Sequence, residues 1–323
     1  MILQKMVFFW LLLTSILMAL SSSFWFTLWM MLEMNMMIFI PMINSKNFLA
    51  SNSMLYYYIT QSMASSLFFM ASLMSFTLSN KMFIYIIIIS MMIKLGVAPF
   101  HSWYPQISEG MNYPPFFILS SFQKIIPFHI ISIFQNNLII LFIIMSSMVG
   151  SLGGLNQMSM KKILAFSSIS HMSWILSLIM INQNFWMVYL TFYSIILMKI
   201  TNILNKNNLS LIINLNSMKS SFSNKIYLFS FILSLGGLPP FLGFFMKWIA
   251  VILISKIFIS ILLALISSSL INLYFYMRCM FPLILNMNIC MKSPNLLNIY
   301  TSMYFLIINF MGIIIICPLM MLL

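Results

Sequence analysis

Only two side chains in this sequence carry a carboxylate, Glu33 and Glu109, against fifteen Lys and Arg in 323 residues. Glu33 stands inside an apolar run, Trp29-Met-Met-Leu-Glu33-Met-Asn35. Lys94, Lys124, Lys199, Lys247 and Arg278 are embedded in apolar runs as well. A charge at mid-membrane costs about 2.5–3.5 kcal/mol on insertion scales, so such residues are functional candidates. Lys199 and Arg278 lie toward the ends of their runs, where a long side chain reaches the interface. Lys94, Lys124 and Lys247 lie deeper. Carboxylates and ammoniums in a low-dielectric interior exchange protons in response to nearby charge and water. A water-linked row of Glu33, Lys94, Lys124 and Lys247 would have the chemistry of a proton relay. The plainer alternative is a Glu–Lys pair locking two helices, although a buried pair is weak evidence of stability.

His171 lies among hydroxyls in Ser167-Ser168-Ile-Ser170-His171-Met-Ser173. An imidazole can pass protons near neutral pH, and an isolated one is equally well a satisfied core residue. His101 and Glu109 fall in a stretch expected as a loop, Phe100 to Gly110. There Glu109 would cap the following helix or assist proton entry, and the capping role is preferred. His129 receives no role.

Two interruptions must position these groups. Gly236-Gly237-Leu-Pro239-Pro240 splits an apolar run just before Lys247. Prolines remove backbone donors and push the preceding residue out of the α region. Lys94-Leu-Gly96-Val-Ala-Pro99 repeats the pattern earlier. Interrupted helices in corresponding halves mark a transporter built from repeats. Irregular backbone at that depth requires a protein or water lining.

At 63% hydrophobic and 5% charged residues, the chain is an all-α polytopic membrane protein. Its long apolar runs exclude the short alternating segments of a β-barrel. The runs predict eleven spans, at about 4–21, 24–43, 54–79, 82–100, 112–134, 137–156, 161–181, 184–205, 225–252, 256–282 and 298–322. Loop lysines give the orientation. Lys5, Lys46, Lys161, Lys162, Lys206, Lys219, Lys225 and Lys292 fall on the N-terminal side, and Lys81 and Lys256 on the other. The positive-inside rule then puts the N-terminus in the matrix or cytoplasm and the C-terminus opposite.

The net charge of +13 does not indicate nucleic acid, because the basic residues are scattered over a mostly lipid-facing surface. Cys279, Cys290 and Cys317 form no CxxC pair, so no metal site is expected. Gly150-Ser-Leu-Gly-Gly154 has GxxxG spacing and predicts close helix packing. With no phosphate-binding glycine loop or nucleophile elbow, NADH, flavin and iron–sulfur clusters are expected on other chains.

Several stretches together carry a family resemblance. They are Trp29 to Asn35 with Pro41, Tyr58-Ile-Thr-Gln61, Lys94 to Trp103 with Pro105 and Glu109-Gly110, and Gln123-Lys124-Ile-Ile-Pro127. In the second half they are Gly153 to Gln157, Lys161 to Trp174, and Ser234 to Gly243 with Lys247-Trp248. The chain resembles the NADH–ubiquinone oxidoreductase chain 2 family, antiporter-like membrane subunits of respiratory complex I, in the short form of animals and of insects in particular. The resemblance implies two inverted five-helix repeats, about 1–135 and 136–283, each with a broken helix, followed by a C-terminal helix. It also implies that Glu33 partners Lys94, that Lys124 is the central relay lysine, and that Lys247 hands the proton on. His171 matches a polar position on the same axis. Gly96, Pro99, Gly236, Gly237, Pro239 and Pro240 would form the breaks. The expected partners are other membrane-arm subunits and lipids of the mitochondrial inner membrane. NADH, FMN, iron–sulfur clusters and ubiquinone would be handled elsewhere in the complex. The alternatives are a stand-alone cation/proton antiporter and a purely structural subunit.

Overall fold

The computed structural model describes residues 2–45, 47–78, 81–181, 184–215, 222–255, 258–287 and Asn309. Among them the regular structure is helical, apart from one isolated bridge between Ser159 and Leu211. The helices are α1 (Ile2–Ser21), α2 (Trp25–Ile43), α3 (Phe48–Leu78), α4 (Lys81–Leu95), α5 (Trp103–Gly110), α6 (Tyr113–Ser120) and α7 (Ile125–Ile133). They continue with α8 (Leu138–Leu155), α9 (Met160–Ile181), α10 (Phe185–Lys206), α11 (Phe222–Gly236), α12 (Leu242–Ser255) and α13 (Ile259–Met287). Seven described stretches are long and apolar enough to cross a membrane: α1, α2, α6 with α7, α8, α9, α10 and α13. The longest described helix, α3 at 31 residues, is not among them. Its sequence interleaves Ser, Asn, Tyr, Thr and Gln with its apolar residues.

The chain divides into two compact units, Met1–Ser146 and Ser147–Leu323. In the first, α1 packs on α2, α2 on α3, α3 on α4 and α5, α4 on α7, and α7 on α1, which closes a ring. In the second, α9 touches α10, α12 and α13, while α11 touches α10, α12 and α13. Over its most apolar stretch α9 is 89% buried, so this helix is the axis of its unit. Its turn from α8 is clamped by main-chain bonds from Met160 to Ser210 and from Ile212 to Met158. Arg278 of α13 adds bonds to the carbonyls of Leu155 and Gln157. That contact gives Arg278 a structural task.

Three expected spans are interrupted, two of them at the expected Gly and Pro breaks and one, 112–134, where no break is expected. The run 82–100 stops at Leu95, and the expected loop Phe100–Gly110 is largely the helix α5. The run 112–134 opens into a 3₁₀ turn at Phe122–Lys124. Pro127 then falls in the first turn of α7, where a missing N–H leaves no intrahelical bond unmade. The run 225–252 is α11 and α12 with a turn between them, as its Gly-Gly-Leu-Pro-Pro requires. Lys225, expected near a loop, lies on α11 and is fully buried. The expected helix 298–322 lies outside the described residues except for Asn309, which donates to the Ser230 carbonyl at 3.3 Å.

The GxxxG glycines do pack closely. A Cβ on Gly150 would stand 2.6 Å from the Ser170 nitrogen, and one on Gly154 would stand 2.8 Å from the Phe275 ring. Gly243 is tighter still: a Cβ there would lie 1.5 Å from the Ser234 carbonyl oxygen. Gly236 has room, its nearest neighbour being Tyr276 at 3.6 Å. Gly243→Ala should therefore cut the amount of assembled protein at least several-fold, whereas Gly236→Ala should leave it near the parent level. Blue-native electrophoresis of membranes carrying each variant checks both.

Candidate functional site

Both interrupted helices end in the same hydrogen-bonded turn. At α4, Gly96 takes φ +68°, its N–H bonds the Ile93 carbonyl at 3.1 Å, and Val97 N–H bonds the Met92 carbonyl at 3.1 Å. At α11, Gly237 takes φ +81°, its N–H bonds the Ser234 carbonyl at 3.1 Å, and Leu238 N–H reaches the Leu233 carbonyl at 3.4 Å. This is the Schellman termination, which needs a residue that tolerates left-handed backbone. Side chains supply further donors. Trp103 Nε1 bonds the Ile93 carbonyl at 3.1 Å, and Gln61 Nε2 lies 3.4 Å from the Lys94 carbonyl.

Each break carries a buried lysine. Lys94 lies in the last turn of α4. Lys247 comes from α12 and reaches back, so that its Nζ donates to the Gly236 carbonyl at 2.8 Å and lies 3.3 Å from the Leu235 carbonyl. Lys94 is in the last turn of α4 and the Lys247 Nζ meets the last carbonyls of α11, where aligned peptide dipoles favour positive charge.

In the first unit the cavity lining joins Lys94 to Lys124. A small cavity of about 10 Å³ is lined by both lysines together with Tyr57, Gln61, Tyr104 and Gln123, among others. Lys124 sits on the 3₁₀ turn with its Nζ 4.8 Å from the centroid of the Tyr104 ring, a cation–π contact. Glu33, half-buried on α2, accepts a hydrogen bond from Ser65 of α3. It stands within electrostatic range of Lys94 without a direct ion pair among the described residues. Gln123 ties the turn to its neighbours: its Nε2 donates to Asn35 Oδ1 at 2.9 Å, and its Oε1 accepts from Tyr57 at 3.3 Å.

In the second unit His171 is buried on α9. Its Nδ1 is 2.8 Å from the Tyr189 hydroxyl, and its ring lies 4.9 Å from that of Tyr193. Ser170 beside it accepts from Asn272 Nδ2 at 2.8 Å. Glu109 is exposed on α5, and the residue at the N-cap of α6 is Asn112. His101 keeps Nδ1 3.3 Å from the Pro99 carbonyl. Lys199 is half-buried on α10. Ser65, Tyr57, Gln61, Gln123, Asn35 and Tyr189 have no role in the sequence reading. Asn35, Gln61 and Gln123 fall in stretches that carry the resemblance, and the signal for the others is a polar side chain within a mostly apolar span.

Buried lysines at the ends of broken helices, with amides and hydroxyls around them, define a helical membrane protein built for moving ions. The transmembrane family model of the NADH:quinone oxidoreductase and Mrp antiporter proteins matches residues 22–272. The NADH-ubiquinone oxidoreductase chain 2 of Anopheles gambiae is 38% identical over 328 residues, covering 95% of this chain and 94% of the relative. That of Rhipicephalus sanguineus is 41% identical, covering 85% and 88%. A chain of respiratory complex I from Thermus thermophilus superposes with a TM-score of 0.81 at 18% identity, over 87% of this chain and 70% of that one, and shares the fold. The chain belongs to the NADH-ubiquinone oxidoreductase chain 2 family of antiporter-like membrane subunits.

Gly237 gives a direct test of the second break. A Cβ there would lie 2.9 Å from Lys247 Cδ and 3.1 Å from its Nζ, on left-handed backbone that costs a non-glycine residue about 1–2 kcal/mol. Gly237→Ala should lower quinone-linked NADH oxidation several-fold in assembled enzyme, as read in membranes normalised to complex content.

Proposed function

We propose that this antiporter-like, proton-translocating subunit works in the membrane arm of respiratory NADH:ubiquinone oxidoreductase, with Glu33, Lys94, Lys124 and Lys247 as its relay. The observation that carries the reading is the shared cavity of Lys94 and Lys124, with Glu33 in electrostatic range of the first. Quinone reduction elsewhere in the complex supplies the driving force. It shifts Lys94 between the influence of Glu33 and that of Lys124. Moving a unit charge from about 4 to 8 Å changes the energy by roughly 2 kcal/mol at an effective dielectric near 20. That exceeds one pKa unit, enough to move a proton. Lys247, gripping the end of α11, passes the proton onward, and His171 with Tyr189 is a further polar step on the axis of the second unit. Glu109, exposed on α5, is better placed for proton entry than for capping.

The chain is a multi-pass protein of the mitochondrial inner membrane. Its proposed topology is eleven crossings, two inverted five-helix repeats and a C-terminal helix, with the N-terminus in the matrix and the C-terminus in the intermembrane space. The matching terminations of α4 and α11 support the repeats. The redox cofactors, NADH, FMN, iron–sulfur clusters and ubiquinone, belong to neighbouring subunits in this reading, and the chain's own partners are membrane-arm subunits and lipids.

The test is proton pumping per electron pair in reconstituted enzyme carrying Glu33→Gln or Lys247→Ala, with assembly verified. The expected result is a ratio well below the parent's while electron transfer persists. Unchanged ratios for both variants would assign the chain a structural role. Sodium- or potassium-dependent transport by the isolated chain would assign it to the stand-alone antiporters.

A further inference from the structure

The sequence marks helix α3 only as a span. It also presents polar side chains four residues apart, Tyr57, Gln61 and Ser65. That spacing stacks side chains on one face of a helix. At 1.5 Å rise per residue the stripe is about 12 Å long. All three residues are buried, with exposures of 2%, 6% and 0%. Each meets a different part of the first unit's site. Ser65 donates to the Glu33 carboxylate. Gln61 Nε2 reaches the Lys94 carbonyl at 3.4 Å. Tyr57 donates to Gln123 at 3.3 Å, and Gln123 precedes Lys124 on the 3₁₀ turn. Tyr57 and Gln61 also line the cavity that Lys94 and Lys124 share. On the outward face of the same helix, Ser66 bonds only its own backbone, at the Met63 carbonyl.

We infer that the Tyr57–Gln61–Ser65 stripe is a positioning rail for proton transfer, fixing Glu33, Lys94 and Lys124 at their working separations. This rests on the relay reading above. The stripe acts through those three groups and donates no proton of its own. Three elements bring the charged groups, α2, α4 and the turn before α7, and α3 is the element that contacts them all. Coupling then depends on α3 although α3 carries no charge within the stripe. A purely packing role predicts instead that any substituent of the right volume serves.

The experiment uses the assembled enzyme carrying Ser65→Ala, Tyr57→Phe or Gln61→Leu, with Ser66→Ala and Glu33→Gln as controls. Protons pumped per electron pair and the pH profile of coupled NADH oxidation are read for each. The expected outcome is a ratio lowered at least two-fold by Gln61→Leu, partly restored in Gln61→Asn, which keeps an N–H donor. Ser65→Ala should move the pH profile by about one unit, the effect of losing one hydrogen bond to a charged group. Ser66→Ala should match the parent in both readouts. If Gln61→Leu fails to assemble, Ser65→Ala and Tyr57→Phe decide, since each removes only an oxygen. Parent-like ratios and pH profiles in those two variants, with Glu33→Gln impaired, would overturn the rail and leave the relay standing. Parent-like behaviour of Glu33→Gln as well would overturn the rail and remove Glu33 from the relay.

Discussion

A helix that stops inside a membrane leaves carbonyl oxygens with no water to take them. The rest of this structure is arranged around that constraint. It is met twice, at α4 and at α11, by a glycine in left-handed conformation that turns two N–H groups back onto the last turn. What remains is met by side chains: Trp103 and Gln61 at the first break, Lys247 at the second. The negative end of a half-helix in a dry interior attracts a cation, and each half-helix has a buried lysine at that end. The same geometry therefore closes the backbone and sites the charge.

Magnitudes decide whether such a charge can move. The dipole of a helix end favours a cation by about 0.3–1 kcal/mol, and by up to ~2 when partly buried. Moving a counter-charge by about 4 Å changes the energy by roughly 2 kcal/mol at moderate dielectric. Neither effect overwhelms the other. A lysine held by carbonyls alone can be reset by a neighbouring charge, whereas a tight, desolvated ion pair would be harder to reset. That Glu33 is bonded to Ser65 and senses Lys94 without direct contact is consistent with a pair kept on the adjustable side of this balance.

Much of this is legible in the sequence because the strongest determinants are local. Apolar runs give spans, and Gly with Pro inside a run gives a break, since no tertiary contact restores a missing N–H. Lys94, Lys124, Lys247 and Glu33 stand out because charge is rare here. The interruption at Ser121–Lys124 is less visible. It depends on how Pro127 is accommodated, and a proline can kink a helix or begin one. Helix α5 is hidden because its eight residues are too few to show a period and contain Pro105. The neutral site residues are hidden for another reason. Ser65, Gln61 and Gln123 are common residue types, and only the fold shows that Ser65 and Gln61 face inward while Ser66 faces outward.

The two breaks are not equivalent, and the difference bears on mechanism. Lys94 belongs to the helix that ends and lines a cavity together with Lys124. Lys247 belongs to the helix that begins again, and its ammonium crosses the gap to hold the terminus of α11. The first arrangement sets one buried lysine beside another on a common cavity wall. The second makes the Lys247 side chain part of the joint between two half-helices. A shared termination motif thus carries two different lysine arrangements, one lining a cavity beside a second lysine and one bonded to main-chain carbonyls.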